Sequence, residues 1–269
     1  MTAESSSSRG VWADKWALVT GASAGIGLAL ARQLAAGGAH LVLTARRTDR
    51  LQKLAAELVD KHRVRIEVLP SNLINAEAPA ELHAFTLRKG IEIELLVNNA
   101  GFGAYGLAHE IPADRMLEMI QVNCSAVVHL TRLYVPPMVA RRRGDVLIVA
   151  SVAAFQAVPF NSVYAATKAF DLLFAQAIAE ELRPFGVRVC ALCPGSTTTE
   201  FQEVAQQPDR AFRRAETAEK VARVGLEALA QGKSYVISGL LNKLMTESQR
   251  LAPRAFVVRT AAKMMRPNR

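Results

Sequence analysis

Seven short, mostly apolar runs alternate with longer amphipathic stretches along this chain, and most of the runs end at a glycine, a proline or a polar residue. Continuous apolar runs of this length are typical of strands buried on both faces of a parallel sheet. The stretches between them repeat apolar residues at the spacing of a helix that buries one face. The runs lie at 16–20, 40–45, 64–70, 94–101, 145–151, 187–193 and 234–238.

Strict alternation of strand and helix predicts an α/β fold with a doubly wound, parallel seven-stranded sheet (a Rossmann fold) in three α/β/α layers. We expect residues 14–239 to form this domain, after a disordered segment 1–13 and before a helical extension 240–269. The long helix predicted over 113–140 should bend or end near Pro136 and Pro137. In such folds, ligands bind beyond the carboxyl ends of the strands, where the strand order reverses.

Composition narrows the class of protein. The 269 residues are 51% hydrophobic and 21% charged, which suits one large domain with a sizeable core. We expect neither a secretory signal nor a membrane-spanning helix, and the sparse cysteines favour a reduced, cytoplasmic protein. Cys190 and Cys193 have redox spacing, but on a strand they would point to opposite faces. We therefore expect no redox pair and no metal site.

The net charge of +9 is concentrated at the carboxyl terminus. Apolar residues of the 240–269 extension recur at helical spacing, and two helices broken near Pro253 are predicted. The extension should pack over the substrate pocket or against a subunit neighbour, and an anionic membrane surface is an alternative. No nucleic-acid partner is expected, because no recognised binding module accompanies the charge. The apolar residues are Leu240, Leu241, Leu244, Met245 and Leu251, and the basic residues, with only Glu247 against them, are Lys243, Arg250, Arg254, Arg259, Lys263, Arg266 and Arg269.

A glycine-rich turn follows the first strand and opens the first helix. Gly21, Gly25 and Gly27 would let the backbone approach a pyrophosphate at the helix N-terminus. An NAD-binding chain should carry an acid at the end of the second strand, for the ribose 2′-hydroxyl. Here Arg46 stands in that region instead and can pair with a 2′-phosphate. The pattern therefore predicts NADP(H) in preference to NAD(H).

Tyr164 and Lys168 are four residues apart in a predicted helix, so their side chains share one face. A nearby ammonium should lower the pKa of the Tyr164 phenol and fit it for proton transfer. Taken alone, however, such a pair is more often part of a solvated helix surface. The rest of the chain has to decide between the two interpretations.

Six motifs occur in order on the predicted elements, and together they resemble the short-chain dehydrogenase/reductase family over about residues 14–239. The resemblance implies an NAD(P)(H)-dependent oxidoreductase that acts on a carbonyl/alcohol pair and forms a homodimer or homotetramer. The motifs are T-G-x-x-x-G-I-G at 20–27, N-N-A-G at 98–101, Asn123, Ser151, Y-x-x-x-K at 164–168 and P-G at 194–195.

By this resemblance, Tyr164 is the general acid that protonates the carbonyl oxygen, and Ser151 hydrogen-bonds that oxygen. Lys168 lowers the pKa of Tyr164 and holds the nicotinamide ribose, while Asn123 keeps a water in a proton relay. The resemblance also implies cofactor contacts along the strand ends. These are Ser23 and Ile26 at the phosphate turn, Asn72 and Leu73 at the adenine, Asn99, Ala100 and Gly101 along the ribose side, and Pro194, Gly195, Thr197 and Thr199 over the nicotinamide.

Residues around the expected substrate site are largely apolar, notably Phe102, Val152, Phe155 and Phe160. They favour an apolar ketone or aldehyde over a sugar or an acid. The loop Phe201–Glu216 should close over the substrate, and a solvated loop is the preferred interpretation of its Arg213 and Arg214. Two other functions stay open: a membrane-peripheral reductase of lipid-derived or 3-oxoacyl carbonyls, and a non-catalytic NADP-binding interaction protein.

Overall fold

Strands and helices alternate through the computed structural model, which describes residues 10–205 and 215–266. The first half of the chain contains β1 (Trp16–Thr20), α1 (Gly25–Ala36), β2 (His40–Thr44), α2 (Thr48–His62), β3 (Ile66–Val68), α3 (Ala78–Arg88), β4 (Ile93–Asn98), α4 (Ala113–Ile120) and α5 (Ala126–Ala140). The second half contains β5 (Gly144–Val149), α6 (Ser162–Leu182), β6 (Val187–Cys193), β7 (Thr197–Thr198), α7 (Phe201–Ala205), β8 (Glu216–Thr217), α8 (Ala218–Ala230), β9 (Tyr235–Ile237), α9 (Leu240–Ser248) and α10 (Arg254–Met265).

The central sheet confirms the predicted doubly wound fold. Its seven strands are all parallel and lie in the order β3-β2-β1-β4-β5-β6-β9. The chain moves outward from β1 to β3 and then crosses back to β4, so the strand order reverses between β1 and β4. A ligand site is expected beyond the carboxyl ends of these two strands.

Alternate residues of each strand enter two separate hydrophobic cores, one on each face of the sheet. Ala17 and Val19 of β1 pack with helices α1, α2 and α8, whereas Leu18 packs with the layer of α3, α5 and α6. Cys190 and Cys193 divide in the same way, one to each core. Their thiols therefore diverge as predicted, and all three cysteines are free.

The long helix predicted over 113–140 does not end at its prolines. Pro136 and Pro137 lie inside α5, which ends only at Ala140. The irregularity instead lies at Gln121–Ser125, where one π-helical turn joins α4 to α5. A π turn accommodates one extra residue in the helix and often occurs at functional sites. This turn contains the buried Asn123, so a side chain of the site region coincides with the break.

The domain begins before residue 14, which corrects part of the predicted disordered segment. The Gly10 amide donates to the Gly37 carbonyl at 3.0 Å. Trp12 is buried, and its indole Nε1 donates to Asp145 at 2.7 Å. Burying the large indole with its N–H satisfied fixes this stretch on the fold. Residues 1–9 lie outside the described residues.

The carboxyl-terminal extension forms two helices, α9 and α10, with Pro253 between them, as predicted. Asn242 ties the first turn of α9 to the end of β9, since its Nδ2 donates to the Ser238 carbonyl at 2.7 Å. The Tyr105 hydroxyl donates to the Met265 carbonyl at the other end of the extension. The extension thus folds back over the carboxyl edge of the sheet.

The stretch predicted as a substrate loop is only partly described. It begins with the short helix α7, and its last residue, Glu216, begins β8, which pairs with β7 in a small second sheet. Residues 206–214, including Arg213 and Arg214, lie outside the described residues. No helix among the described residues is long and apolar enough to cross a membrane.

Candidate active site at the carboxyl edge of the sheet

A cavity of about 510 Å³ lies at the carboxyl edge of the sheet, where the strand order reverses. Its walls come from residues that end or follow the central strands. Examples are Gly21 after β1, Thr44 at the end of β2, Asn99 after β4, Ala150 after β5 and Pro194 after β6. Because all of these strands are parallel, their chemically useful residues meet at one edge.

The glycine turn has the geometry of a phosphate cradle. Gly21 has a φ of +66°, and a Cβ there would lie 2.8 Å from the Asn99 side-chain nitrogen. A Cβ on Gly27 would come within 2.4 Å of the Gly21 carbonyl oxygen, so only glycine lets α1 approach the turn. The first turn of α1 carries no side-chain cap. Its amide groups are therefore available to an anion, and the cradle fits a dinucleotide pyrophosphate.

Two neighbouring arginines behave differently at the outer end of this cavity. Arg46 lines the cavity, is exposed and has no ion pair among the described residues. Arg47 donates to Glu200 at 2.6 Å and to the Ser23 hydroxyl at 3.3 Å. Glu200 also binds Arg50, and Arg50 and Arg47 together lower its pKa. Arg46 is thus the cation left for a 2′-phosphate.

The structure places nearly all of the sequence-predicted cofactor residues in the cavity wall. Gly27 is the exception, because it is buried beneath the turn and acts through close packing. Their individual contacts to a cofactor stay predictions. The residues in the wall are Gly21, Ser23, Gly25, Ile26, Arg46, Asn72, Leu73, Asn99, Ala100, Gly101, Tyr164, Lys168, Pro194, Gly195, Thr197 and Thr199.

Ser151, Tyr164 and Lys168 come together in the same wall. Ser151 lies two residues after the end of β5 and lines the cavity. Its Oγ accepts a hydrogen bond from the Ala153 amide at 3.1 Å. Tyr164 lies in the first turn of α6, and the Lys168 Nζ is 6.0 Å from the centroid of its ring. Tyr164 is buried, so the interpretation as an ordinary solvated helix surface is wrong.

The electrostatics of Tyr164 differ from the sequence prediction. Burial raises the pKa of Tyr164 above its ordinary value, and the charge of Lys168 and the hydrogen bond with Ser151 offset this only in part. A phenol with a raised pKa keeps its proton at neutral pH. This is the form that a general acid needs when a carbonyl is reduced.

Asn123 occupies the π turn and does not line the cavity. Its Oδ1 accepts from the Phe102 amide at 3.1 Å, and its Nδ2 donates to the Phe102 carbonyl and to the Thr167 hydroxyl, both at 3.0 Å. The Asn123 amide therefore links the loop after β4 to the helix that carries Tyr164. Its water-relay role stays a prediction.

The structure brings two of the four residues of the predicted substrate wall to the cavity. Phe102 and Val152 line the cavity, but Phe155 and Phe160 do not. The Phe155 ring packs near Tyr235 and the Phe160 ring near Tyr105, each with centroids 6.3 Å apart. These aromatic partners turn both rings away from the cavity, which no local sequence pattern indicates.

The substrate end of the cavity is roofed by α7, α9 and α10 instead. Helical spacing predicted that α9 and α10 exist, but not which of their faces turns inward. Sequence reasoning also missed the polar side chains of this region. The additional lining residues are Gln156, Asn161, Phe201, Asn242, Met245, Thr246, Gln249, Ala261, Met264 and Met265.

Comparison with known proteins agrees with this site. The profile of the short chain dehydrogenase family matches residues 15–210. The chain belongs to the short-chain dehydrogenase family. The very-long-chain 3-oxoacyl-CoA reductase of Pyrenophora tritici-repentis is 34% identical to it over 199 residues, or 70% of this chain. The match spans 57% of that relative's length.

Solved structures of the same family share the fold over most of their length. A short-chain dehydrogenase from Sphingobium yanoikuyae in complex with NADPH has a TM-score of 0.80 at 30% identity, covering 88% of this chain and 94% of that one. A family member from Burkholderia phymatum in complex with NAD has a TM-score of 0.82 at 24% identity, covering 89% and 94%. The second likeness shows the fold alone.

The raised pKa of Tyr164 predicts opposite pH profiles for the two directions of the reaction. Carbonyl reduction requires the protonated phenol, so its rate should stay level through neutral and weakly alkaline pH and fall only near or above the ordinary phenol pKa of about 10. Alcohol oxidation requires the phenolate, so its rate should rise with pH over the same range. Steady-state rates measured in both directions across pH check this. A reduction rate that already falls near neutral pH would contradict it.

Proposed function

We propose that this short-chain dehydrogenase uses NADPH to reduce the keto group of 3-oxoacyl thioesters that carry long acyl chains. One observation carries the proposal: Ser151, Tyr164 and Lys168 face a cavity whose other end is lined by a largely apolar roof. The roof comes from Phe201 of α7 and from α9 and α10. The names of the curated relatives support a 3-oxoacyl substrate over a simple ketone or aldehyde.

The roof has the chemistry of an acyl-chain site. Met245 of α9 and Ala261, Met264 and Met265 of α10 contribute apolar surface to the cavity. Methionine is unbranched and adapts to chains of different shape. Burying one methylene group stabilises a complex by about 0.8 kcal/mol. Longer acyl chains should therefore bind more tightly until the roof is filled.

The polar residues at this end favour a neutral head group. The side-chain oxygens of Asn161 and Gln249 are buried without hydrogen-bond partners among the described residues. These oxygens are acceptors, and they do not attract a carboxylate. The matching side-chain nitrogens can donate to a thioester carbonyl. A 3-oxoacyl thioester presents two neutral carbonyls and a chain, which suits this arrangement.

NADP(H) is the cofactor that the site fits. When bound, it supplies the hydride. Arg46 offers a cation to a 2′-phosphate, and none of the three residues directly after β2 is an acid that could bind a 2′-hydroxyl. The NADPH complex of the Sphingobium relative supports the same choice.

Ser151, Tyr164 and Lys168 stabilise the negative charge that develops on the substrate oxygen. The Ser151 Oγ accepts a hydrogen bond from the Ala153 amide. The hydroxyl hydrogen can therefore donate to Tyr164 or to the substrate. Tyr164 holds its proton and delivers it to the oxygen as negative charge grows there. Lys168 supplies positive charge beside Tyr164. Donors that are already in place stabilise this charge without reorganisation.

The assembly that supports this activity is proposed from exposed apolar residues on α4 and α6. Leu117 and Ile120 of α4 and Phe170 and Leu173 of α6 are exposed. Pairing of these helices between copies would cover them, which supports a homodimer or homotetramer. A cytoplasmic location is proposed with the three free cysteines as support.

Replacing Tyr164 tests the chemistry. Tyr164→Phe should lower kcat for a long-chain 3-oxoacyl thioester by about 10²- to 10⁴-fold, the usual contribution of a positioned acid. NADPH binding should remain close to wild type. Tyr134→Phe is the matched control, because Tyr134 is also buried but its hydroxyl contacts Thr86, on a helix remote from the cavity. Turnover of NADPH with acyl chains of increasing length measures both effects; near-normal turnover in Tyr164→Phe excludes the acid role.

Replacing Arg46 tests the cofactor. Arg46→Ala should raise KM for NADPH about 10- to 100-fold, because a hydrogen bond to a charged group contributes about 1.5–3 kcal/mol. KM for NADH should hardly change. Arg50→Ala is the control, since Arg50 is a nearby arginine that binds Glu200 and does not line the cavity. An equal rise in KM for NADPH and NADH would show that Arg46 does not bind the 2′-phosphate.

A membrane-peripheral form of this activity is a second candidate, and one observation favours it. The outer face of the extension exposes Leu240, Leu251 and Phe256, with Leu251 92% exposed. Basic residues of the same helices are exposed as well, including Lys243 and Arg259. Exposed apolar side chains flanked by basic residues suit an anionic lipid surface. Docking there would place the roof, and thus the acyl site, next to the lipid.

Vesicle flotation tests this candidate. The wild-type protein should float with vesicles containing anionic phosphatidylserine, more at low salt than at high salt. The double variant Leu251→Ser, Phe256→Ser should lose most of this binding. Leu87→Ser is the control, because Leu87 on α3 is as exposed as Phe256, at 64%. Absence of wild-type flotation at low salt would exclude membrane docking, and a change in the oligomeric mass of the double variant would indicate a subunit contact instead.

A further inference from the structure

Asp171 is a buried acid beside the active site that the reaction described above does not use. It lies on α6, three residues after Lys168, and is 1% exposed. Its Oδ2 accepts from the Lys168 Nζ at 2.9 Å. Its Oδ1 is buried and has no hydrogen-bond partner among the described residues. An acid this deeply buried with one unpaired oxygen requires an explanation.

The contacts of Lys168 indicate what Asp171 does. A lysine ammonium has three hydrogens to donate. One goes to the Val149 carbonyl at 2.7 Å, at the end of β5, and one goes to Asp171. Lys168 also lines the cofactor cavity. With two hydrogens held by the protein, the third is left for a group in the cavity.

Stability alone does not explain the pair. Burying two opposite charges carries a large desolvation penalty, and well-packed apolar side chains in their place are often as stable or more stable. Helix α6 already has ample apolar packing around Asp171, including Leu172 and Ala175. An apolar residue at 171 would also leave the Lys168 ammonium with only the Val149 carbonyl.

We propose that Asp171 is a positioning residue of this reductase: it fixes the Lys168 ammonium against the end of β5, so that the remaining hydrogen faces the nicotinamide ribose. The inference rests on the proposed reductase function, because it assigns Lys168 to the cofactor. Asp171 itself touches neither cofactor nor substrate. It acts through the position and the charge of Lys168.

The charges around Asp171 support this role. Lys168 and Tyr164 face it from α6, Cys124 from the π turn and Cys193 from β6. Burial raises the pKa of both thiols to about 12, so they stay neutral. Burial lowers the pKa of Lys168, but Asp171, together with Tyr164 and Cys124, raises it, and the net pKa is raised. Lys168 therefore stays charged although it is buried.

Removing the charge of Asp171 should shift the pH profile of reduction. In Asp171→Asn, the pKa of Lys168 and the pKa of Tyr164 both lose a contribution that raises them. Reduction needs both groups protonated, so the alkaline limb of kcat should move to lower pH, by about one unit. The affinity for NADPH, measured by fluorescence titration, should fall about tenfold, because the Lys168 ammonium is no longer held toward the ribose. A role in stability alone would leave both readouts unchanged.

Asp145→Asn is the matched control. Asp145 is another buried acid that binds a cation, Arg188, at 2.6 Å, but it lies at the opposite end of β5. This variant should lose stability yet keep the wild-type alkaline limb and NADPH affinity. If Asp171→Asn does not fold, Asp171→Ser removes the same charge with a smaller side chain and is expected to show the same two shifts.

The outcomes separate this inference from the proposed function. A folded Asp171 variant with the wild-type alkaline limb and wild-type NADPH affinity would overturn the inference while the reductase function stands. The same shifts in Asp145→Asn would also overturn it. If the wild type reduces none of the carbonyls tested, the proposed function fails, and the NADPH titration of the Asp171 and Asp145 variants still decides the role of Asp171.

Discussion

The active site depends on one contact between the sheet and the helix above it: the Lys168 ammonium donates to the Val149 carbonyl at the end of β5. This bond ties α6 to the carboxyl end of β5. Tyr164, one turn earlier on α6, then faces the cavity that the strand ends surround. A buried ammonium is costly unless it is paired. The chain therefore needs Asp171 on the other side of Lys168. The same ion pair keeps a charged lysine in the core and in the wall of the site.

Much of the fold could be predicted because it follows from local periodicity. Continuous apolar runs and amphipathic helices are visible in any window of the chain, and right-handed crossovers leave few topologies for them. The strand ends then had to meet at one edge, which is why the predicted cofactor residues, apart from Gly27, all line one cavity. The π turn at Asn123 could not be predicted, because no residue type marks the insertion of one extra residue into a helix.

The parts that escaped prediction depend on burial and on distant partners. The sign of the Tyr164 pKa shift required knowing that Tyr164 is buried, since a pair on a solvated helix would shift the other way. Asp171 looks like an ordinary helix residue until its 1% exposure and its bond to Lys168 are known. Phe155 and Phe160 pack near Tyr235 and Tyr105, which are remote in sequence, and neither lines the cavity. In each case the outcome depends on burial or on contacts made only in the folded chain, and no local sequence pattern shows these.

The extension connects these features to substrate choice. Its inner side closes the cavity with methionine and alanine, while its outer side exposes leucine, phenylalanine and basic residues. The catalytic wall rests on the sheet and has little freedom to change. The roof, by contrast, is attached at its two ends, through Asn242 to β9 and through Tyr105 to the end of α10. Substitutions along α9 and α10 can therefore alter the acyl site without disturbing the contact between Lys168 and Val149. A wall that carries Tyr164 and a separately anchored roof would let the family fold take the proposed 3-oxoacyl substrate without a change in the wall.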